Sequence, residues 1–330
     1  MNEEKIKKEF RKGLCAMQKF NEVAMRPTTL AEYEGQDKIR KALSFYIKAA
    51  KLRGDCLDHT IIYGSSGLGK TTLANIISNE MEANLLTVSA PTIKTTQDMI
   101  SILMVLSEGM ILFIDEIHRL PKKVEEVLYF AMEDFVVDTE VDGIRTRTEL
   151  APFTLIGATT AKGMLSEPLR NRFQISLELI PYQTKSLTDI VIASAGKLGG
   201  VIDRACAEMI ASRSRGVPRI ANGFVRRVQD FALVNNDGVI TEDVVNEAFD
   251  FLGVDSHGLT EQDLRYLGTM AKVFQMKTVG IDTLCSALND DKTTIERTVE
   301  PYLIQKGYVR KTPRGRVLTE EGYKIGKKVG

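Results

Sequence analysis

Gly64-Ser-Ser-Gly67-Leu-Gly69-Lys70-Thr71 follows the apolar run Thr60-Ile-Ile-Tyr63 and opens the helix-like stretch TLANIISNEM (72–81). Glycine-rich loop, lysine and hydroxyl, set between a strand and a helix, form the phosphate-loop pattern in the context it requires. The glycines let backbone N–H groups close around phosphate, and the helix N-terminus adds favourable partial charge. Lys70 is placed to reach the β- and γ-phosphates, and the Thr71 hydroxyl to ligate Mg²⁺.

Further along lies Met110-Ile-Leu-Phe-Ile114, an apolar strand ending in Asp115-Glu116. Carboxylates at the C-terminal edge of a buried strand stand where ligands collect in open α/β sheets. Asp115 is the expected Mg²⁺ holder, and Glu116 the residue that orients and deprotonates an attacking water. His118 is read as packing or hydrogen-bonding locally. A third strand, FTLI (153–156), leads to Thr159-Thr160, hydroxyls suited to a γ-phosphate or a water. Then comes Leu165–Phe173, with Ser166 as N-cap, Pro168 in the first turn, and Arg170 and Arg172 following.

These runs, with LLTV (85–88) and ISLEL (175–179), alternate with helix-like stretches such as Gln36–Arg53. Apolar strands interleaved with helices predict a mostly parallel sheet covered on both faces, an α/β fold. After Pro181 the pattern changes. Thr184–Leu198, Asp203–Ser214, Arg219–Val234 and Thr241–Leu252 read as a small all-helical unit. Glu261–Phe274, Ile281–Leu288 and Thr293–Gln305 are helical again, and Tyr308–Thr319 reads as strand, turn, strand, the outline of a winged helix. The expected division is 1–24, an N-terminal extension; 25–182, a nucleotide-binding domain; 183–254, a helical domain; and 255–330, the winged helix.

The 330 residues carry 44 Lys+Arg and 44 Asp+Glu, so the chain as a whole offers no basic signature for nucleic acid. The balance is uneven. From Gln305 to Gly330 there are eight basic residues and two acidic ones, a local excess of +6 of the kind phosphate contacts need. Helix Asp291–Gln305 carries Asp291, Glu296 and Glu300, a poor composition to insert among phosphates, so the wing is expected to make the main contacts. No run of about 18 apolar residues predicts a membrane helix. The N-terminus has no secretory pattern, and the four cysteines are scattered, so reduced thiols and a cytoplasmic location are expected.

The phosphate loop, LFIDEIHRLP (112–121), FTLIGATT (153–160), RSRGVPRIAN (213–222), EPYLIQKG (300–307) and TPRGR (312–316) together resemble the RuvB family of Holliday-junction branch-migration motors, which are AAA+ ATPases. The resemblance runs from about Arg26 to Gly330. It implies an AAA+ P-loop sheet, a helical lid and a C-terminal winged helix. It also implies a ring-forming homohexamer, ATP with Mg²⁺, duplex DNA at four-way junctions and a RuvA-like junction-binding partner. By position it places Met25 and Arg26 beside adenine; Gly67, Gly69, Lys70, Thr71 and Thr72 around the phosphates; and Thr71 and Asp115 on Mg²⁺. Asp115 and Glu116 become the paired acids and Thr159 the sensor. Glu133, Asp134 and Phe135 become a further nucleotide-proximal segment, Arg172 a finger acting on a neighbour's ATP, and Tyr182 and Arg219 lid-side contacts. Lys311 and Arg316, with Arg314 in the turn between them, become the DNA contacts of the wing.

The chain departs from the family pattern at several places. Ser65-Ser66 replace Pro-Pro in the phosphate loop, Lys311 stands where arginine is usual, Gly223 replaces an arginine, and Ala161-Lys162 differ after the sensor. The segment Asp134–Pro152, where the family carries the hairpin that docks RuvA, is shorter and holds a polar Asp142-Gly143 turn. The resemblance implies an ATP-driven DNA motor for recombination and repair. Two other readings stand beside it: a DNA-binding protein in which ATP is only a conformational switch, and a diverged paralogue uncoupled from RuvA. Intact Asp115 and Glu116 favour hydrolysis over the switch.

Overall fold

The computed structural model describes residues 25–141 and 144–329; the N-terminal extension and the Asp142-Gly143 turn lie outside the described residues. The chain forms two compact units. One comprises the chain up to Gly199 together with Gly216–Gly223, and the other Gly200–Arg215 together with Phe224–Gly330.

In the first unit, helix α1 (Asp37–Arg53) ends at Gly54, whose left-handed backbone lets its N–H close on the carbonyls of Ala50 and Lys51. Strand β1 (Thr60–Tyr63) leads through the glycine loop into α2 (Lys70–Met81). There follow β2 (Leu85–Ser89), α3 (Thr96–Met104), β3 (Ile111–Asp115) and α4 (Lys122–Glu133). The hairpin β4 (Val136–Val141) and β5 (Ile144–Glu149) comes next, then β6 (Thr154–Thr159), α5 (Glu167–Asn171), β7 (Ile175–Glu178) and α6 (Thr184–Lys197). The five-stranded sheet has order β2-β3-β6-β1-β7, and each of its pairings is parallel. Strands β1 and β6 are buried at every residue, whereas edge strand β7 alternates buried and exposed. That difference is what a sheet covered on both faces produces. Leu112, Ile114 and Leu155 pack with Met99, Leu103 and Leu128 of α3 and α4 in one core. The intervening residues Ile111, Phe113 and Ile156 are buried on the opposite face.

The second unit begins with β8 (Val201–Ile202) and α7 (Arg204–Arg213), the latter capped by the Asp203 carboxylate on the Cys206 amide. Helix α8 (Pro218–Asn235) starts in the first unit and continues into this one, followed by β9 (Val239–Ile240) and α9 (Glu242–Leu252). The winged helix comprises α10 (Glu261–Lys272), α11 (Ile281–Leu288), α12 (Lys292–Thr294), a π-helical segment Ile295–Val299, α13 (Glu300–Gln305), strands β10 (Val309–Thr312) and β11 (Gly315–Leu318), and α14 (Glu320–Lys328). The predicted third helix is therefore continuous but widened in its middle. Arg215, in the left-handed region, ties this unit together: it donates to the Gly258 carbonyl and the Asp263 carboxylate and lies 4.4 Å over the Tyr302 ring. Helix α14 was not anticipated from the sequence. Its Gly322 lies so close to the chain that a Cβ there would fall 2.1 Å from the Tyr308 carbonyl oxygen. Among the described residues, no helix is long and apolar enough to cross a membrane.

Candidate active site

A parallel sheet delivers its loops to one edge, and the order β3-β6-β1 brings three of them together there. The register pairs Tyr63 with Thr159, and the Gly64 amide donates to the Thr159 carbonyl at 3.2 Å, so the glycine loop starts directly beside the end of β6. A cavity of about 360 Å³ opens at this edge. Its walls include Met25, Arg26, Gly67, Gly69, Lys70, Thr71, Thr72, Asp115, Glu116, Tyr182 and Arg219, which the sequence reading had assigned to nucleotide.

The loop holds its shape through backbone conformations suited to glycine. Gly67 has φ +81°, and a Cβ there would meet the Val217 side chain at 2.7 Å, so a larger residue is excluded twice over. Lys70 is buried, and its Nζ donates to the carbonyls of Gly64 at 2.8 Å and Ser65 at 3.2 Å. Burial pushes its ammonium below the ordinary lysine value, while the Glu116 and Asp115 charges oppose that shift. Ser66, one of the departures in this loop, accepts a bond from the Arg219 guanidinium at 3.1 Å; a proline could not. Donor N–H groups, a lysine, a hydroxyl and a carboxylate on one cavity wall match a nucleotide triphosphate with a hard divalent cation.

Across the edge, Glu116 leaves β3 in a left-handed conformation, φ 53°. Its Oε2 accepts from the Thr160 hydroxyl at 3.2 Å and lies 3.3 Å from His118 Nδ1. Thr159 is fully buried, bonded to His118 Nδ1 at 2.8 Å and accepting from the Ala161 amide at 3.0 Å.

Some expected residues lie elsewhere. Thr159, Glu133, Asp134, Phe135 and Arg172 do not line the cavity. Helix α4 spans about 18 Å at 1.5 Å per residue, and it carries Glu133 away from the site that Asp115 enters. There Arg172 bonds the Glu133 carboxylate at 2.9 Å and the Pro168 carbonyl at 2.9 Å, its guanidinium lying 4.5 Å over the Tyr129 ring. Phe135 packs edge-on against Phe153, 5.8 Å between centroids. Arg172 and Glu133 thus pair with each other outside the cavity, whereas Phe135 packs on the hydrophobic core. In the second unit, Arg316 departs further from expectation: it is buried, 5% exposed, and its Nε and Nη2 bond Glu300 Oε1 and Glu296 Oε1, each at 2.6 Å. Lys311, opposite it in the wing, is half-exposed and 3.3 Å from Glu296. Arg310 and Arg314 are exposed.

The sequence reading also missed wall residues. Tyr33 is buried in the cavity wall and accepts from the Tyr182 hydroxyl at 3.0 Å, and burial pushes both phenols up. Asn222 is held by the Ser194 hydroxyl at 2.8 Å. No chemical pattern around a lone tyrosine in Glu32-Tyr33-Glu34 marks it as a wall residue.

With this geometry in place, the comparisons with known proteins are decisive. Family models described as the Holliday junction DNA helicase RuvB P-loop domain, the RuvB AAA lid domain and the RuvB C-terminal winged helix domain match residues 25–179, 182–255 and 256–327.
The chain belongs to the RuvB family.
A curated relative, the Holliday junction branch migration complex subunit RuvB of Acholeplasma laidlawii, is 47% identical over 309 residues, 92% of each chain. A solved structure described as the Thermotoga maritima RuvB Holliday junction branch migration motor superposes with a TM-score of 0.81 at 44% identity, covering 92% of this chain and 98% of that one. The fold is thus an AAA+ P-loop sheet with RuvB lid and winged-helix domains, and the chain is an ATPase of the AAA+ type.

Proposed function

We propose that this chain is an ATP-driven DNA motor that moves the branch point of four-way junctions in recombination and repair. The observation that carries the reading is the single cavity wall joining Lys70, Thr71, Asp115 and Glu116 in a RuvB-family chain. In it, Lys70 and the loop amides bind phosphate, Thr71 and Asp115 would hold Mg²⁺, and Glu116 takes the proton of the attacking water. Bound Mg²⁺ supplies charge neutralisation of the phosphates. Arg219 and Tyr182 contact the nucleotide from the lid side.

Arg172, paired with Glu133 away from the cavity, is assigned to a neighbouring subunit's nucleotide within a homohexameric ring, with Glu133, Asp134 and Phe135 as the nucleotide-proximal segment beside it. On DNA, Arg314 and Lys311 bind phosphates of the duplex through the wing, while Arg316 braces the wing from behind. The domains divide at 25–182, 183–254 and 255–330, and the location is cytoplasmic. A RuvA-like junction-binding protein is the partner, docked at the hairpin β4–β5.

The test is branch migration of a synthetic four-way junction, with ATP and Mg²⁺, with and without a cognate RuvA. Strand exchange that needs ATP and is lost in Lys70→Ala is the expected result. Tight ATP binding without DNA-stimulated turnover would instead establish the switch reading. Turnover on DNA with no response to RuvA would establish the uncoupled paralogue.

A further inference from the structure

Glu116 and Thr159 end neighbouring strands, and one ring atom reaches both: His118 Nδ1 is 2.8 Å from Thr159 Oγ1 and 3.3 Å from Glu116 Oε2. The imidazole is held in the short turn Ile117–Arg119, its side chain only 9% exposed, and it does not line the cavity. It is therefore badly placed to touch nucleotide or water itself. A bare ring lone pair 3.3 Å from a carboxylate oxygen would be repelled by it, so the Glu116 contact favours a proton on Nδ1. That N–H is bonded to Thr159 and lies close to the Glu116 carboxylate. Thr159 Oγ1 then accepts from Nδ1–H and from the Ala161 amide, 3.0 Å away, which engages both its lone pairs and leaves its own proton to donate. On Glu116, the Thr160 hydrogen bond and the His118 contact both fall on Oε2, which leaves Oε1 to accept from a water. The backbone of Glu116 sits at φ 53°, a conformation that a non-glycine residue keeps only when its surroundings hold it.

We propose that His118 is a positioning residue that joins the Glu116 carboxylate and the Thr159 hydroxyl into one unit, aiming the first at water and fixing the second as a donor. This rests on the reading of Glu116 as the base of an ATPase. A ring that only filled space would need neither the Nδ1 proton nor the shared contact.

The experiment measures steady-state ATP turnover of the full chain, with DNA, for His118→Ala, His118→Asn, His118→Gln, Glu116→Gln and the double variant Glu116→Gln/His118→Ala. Fluorescent-nucleotide binding on the same preparations reports that the cavity is intact. Asparagine places its amide nitrogen near the position of Nδ1, glutamine near that of Nε2. Loss of the contact to a charged catalytic group, with the bond to Thr159, should lower kcat by about 10- to 100-fold in His118→Ala. KM for ATP should stay within about threefold, since ground-state binding is untouched. His118→Asn should restore most of kcat and His118→Gln little. The double variant should lose no more than Glu116→Gln alone, because the histidine acts through that carboxylate.

A kcat within about twofold of the parent in His118→Ala, with Glu116→Gln inactive, overturns the proposal. So does a fall shared by Asn and Gln with nucleotide binding weakened in step, which marks a merely structural ring. Full turnover in Glu116→Gln sinks the assignment of Glu116 itself, and this proposal with it.

Discussion

Arg316 shows how position in a sequence and position in space diverge. Read along the chain it is one cation among eight in a basic tail. In the structure it is a bidentate partner of Glu300, which is 1% exposed and also accepts from the Tyr266 hydroxyl at 3.2 Å. Burial disfavours its charge, yet the bonds from Glu300 and Glu296 outweigh that and raise its pKa above the ordinary arginine value. The carboxylates of Glu296 and Glu300, which made the preceding helix look unsuited to DNA, are the internal partners of the wing. Arg316→Ala leaves Glu300 buried without its cation and should destabilise the winged helix by about 3–5 kcal/mol. Arg314→Ala should leave stability unchanged while reducing the slope of log affinity for DNA against log salt by about 1. Denaturant melts and salt titrations of both variants separate the roles. A stable Arg316→Ala protein with the reduced salt slope would return that residue to the phosphate contacts.

Among the elements, the strands were the most legible. Thr60-Ile-Ile-Tyr63 is β1 as read, because a strand buried on both faces must be apolar throughout, and that leaves an unbroken run. Helix α14 was missed because its residues are mostly charged, and its burial rests on two glycines, Gly322 and Gly326, that approach other backbone closely. Glycine signals a break in sequence reasoning, whereas here it permits contact. His59, preceding β1, is another element-level feature without a sequence signal. Its Nε2 lies 3.0 Å from the Met132 carbonyl, and its Nδ1 accepts from the Leu155 amide at 2.9 Å, bridging the end of α4 to β6. Only the neutral ring can do both, and burial lowers its pKa from 6.5. The unfolded chain therefore binds the extra proton first. The stability His59 contributes is complete above about pH 6.5 and declines as pH falls through the window down to its lower folded value. Thermal melts between pH 8 and pH 5 should show that decline, and His59→Gln should melt lower at pH 8 but with a flatter pH dependence. An unchanged slope in the variant would assign the acid sensitivity to another group.

For the whole molecule, the arrangement of Arg172 bears on the proposed action between subunits. Its guanidinium is held by Pro168, Tyr129 and Glu133 away from its own cavity, so under the motor reading it completes another subunit's site. Lys70→Ala and Arg172→Ala chains should each lack turnover alone. Mixed, they should recover part of it, at interfaces where an intact Arg172 faces an intact Lys70. Absence of recovery at every ratio would count against action between subunits. Charge belongs to this scale too. A net charge of zero conceals a tail of +6 against −6 in the rest of the chain, so the average says nothing about DNA.

The sequence by itself determined the phosphate loop, the paired acids, the strand that carries them and the order of domains, since each depends on residues close together along the chain. Tertiary structure alone decided which expected residues share the cavity, that Glu133 pairs with Arg172 outside it, that Arg316 is buried against Glu296 and Glu300, and that His118 lies between Glu116 and Thr159. The physical reason is common to all four. Burial, the direction of a helix and the partner that satisfies a charge depend on residues distant along the chain. Only folding puts them within hydrogen-bond reach.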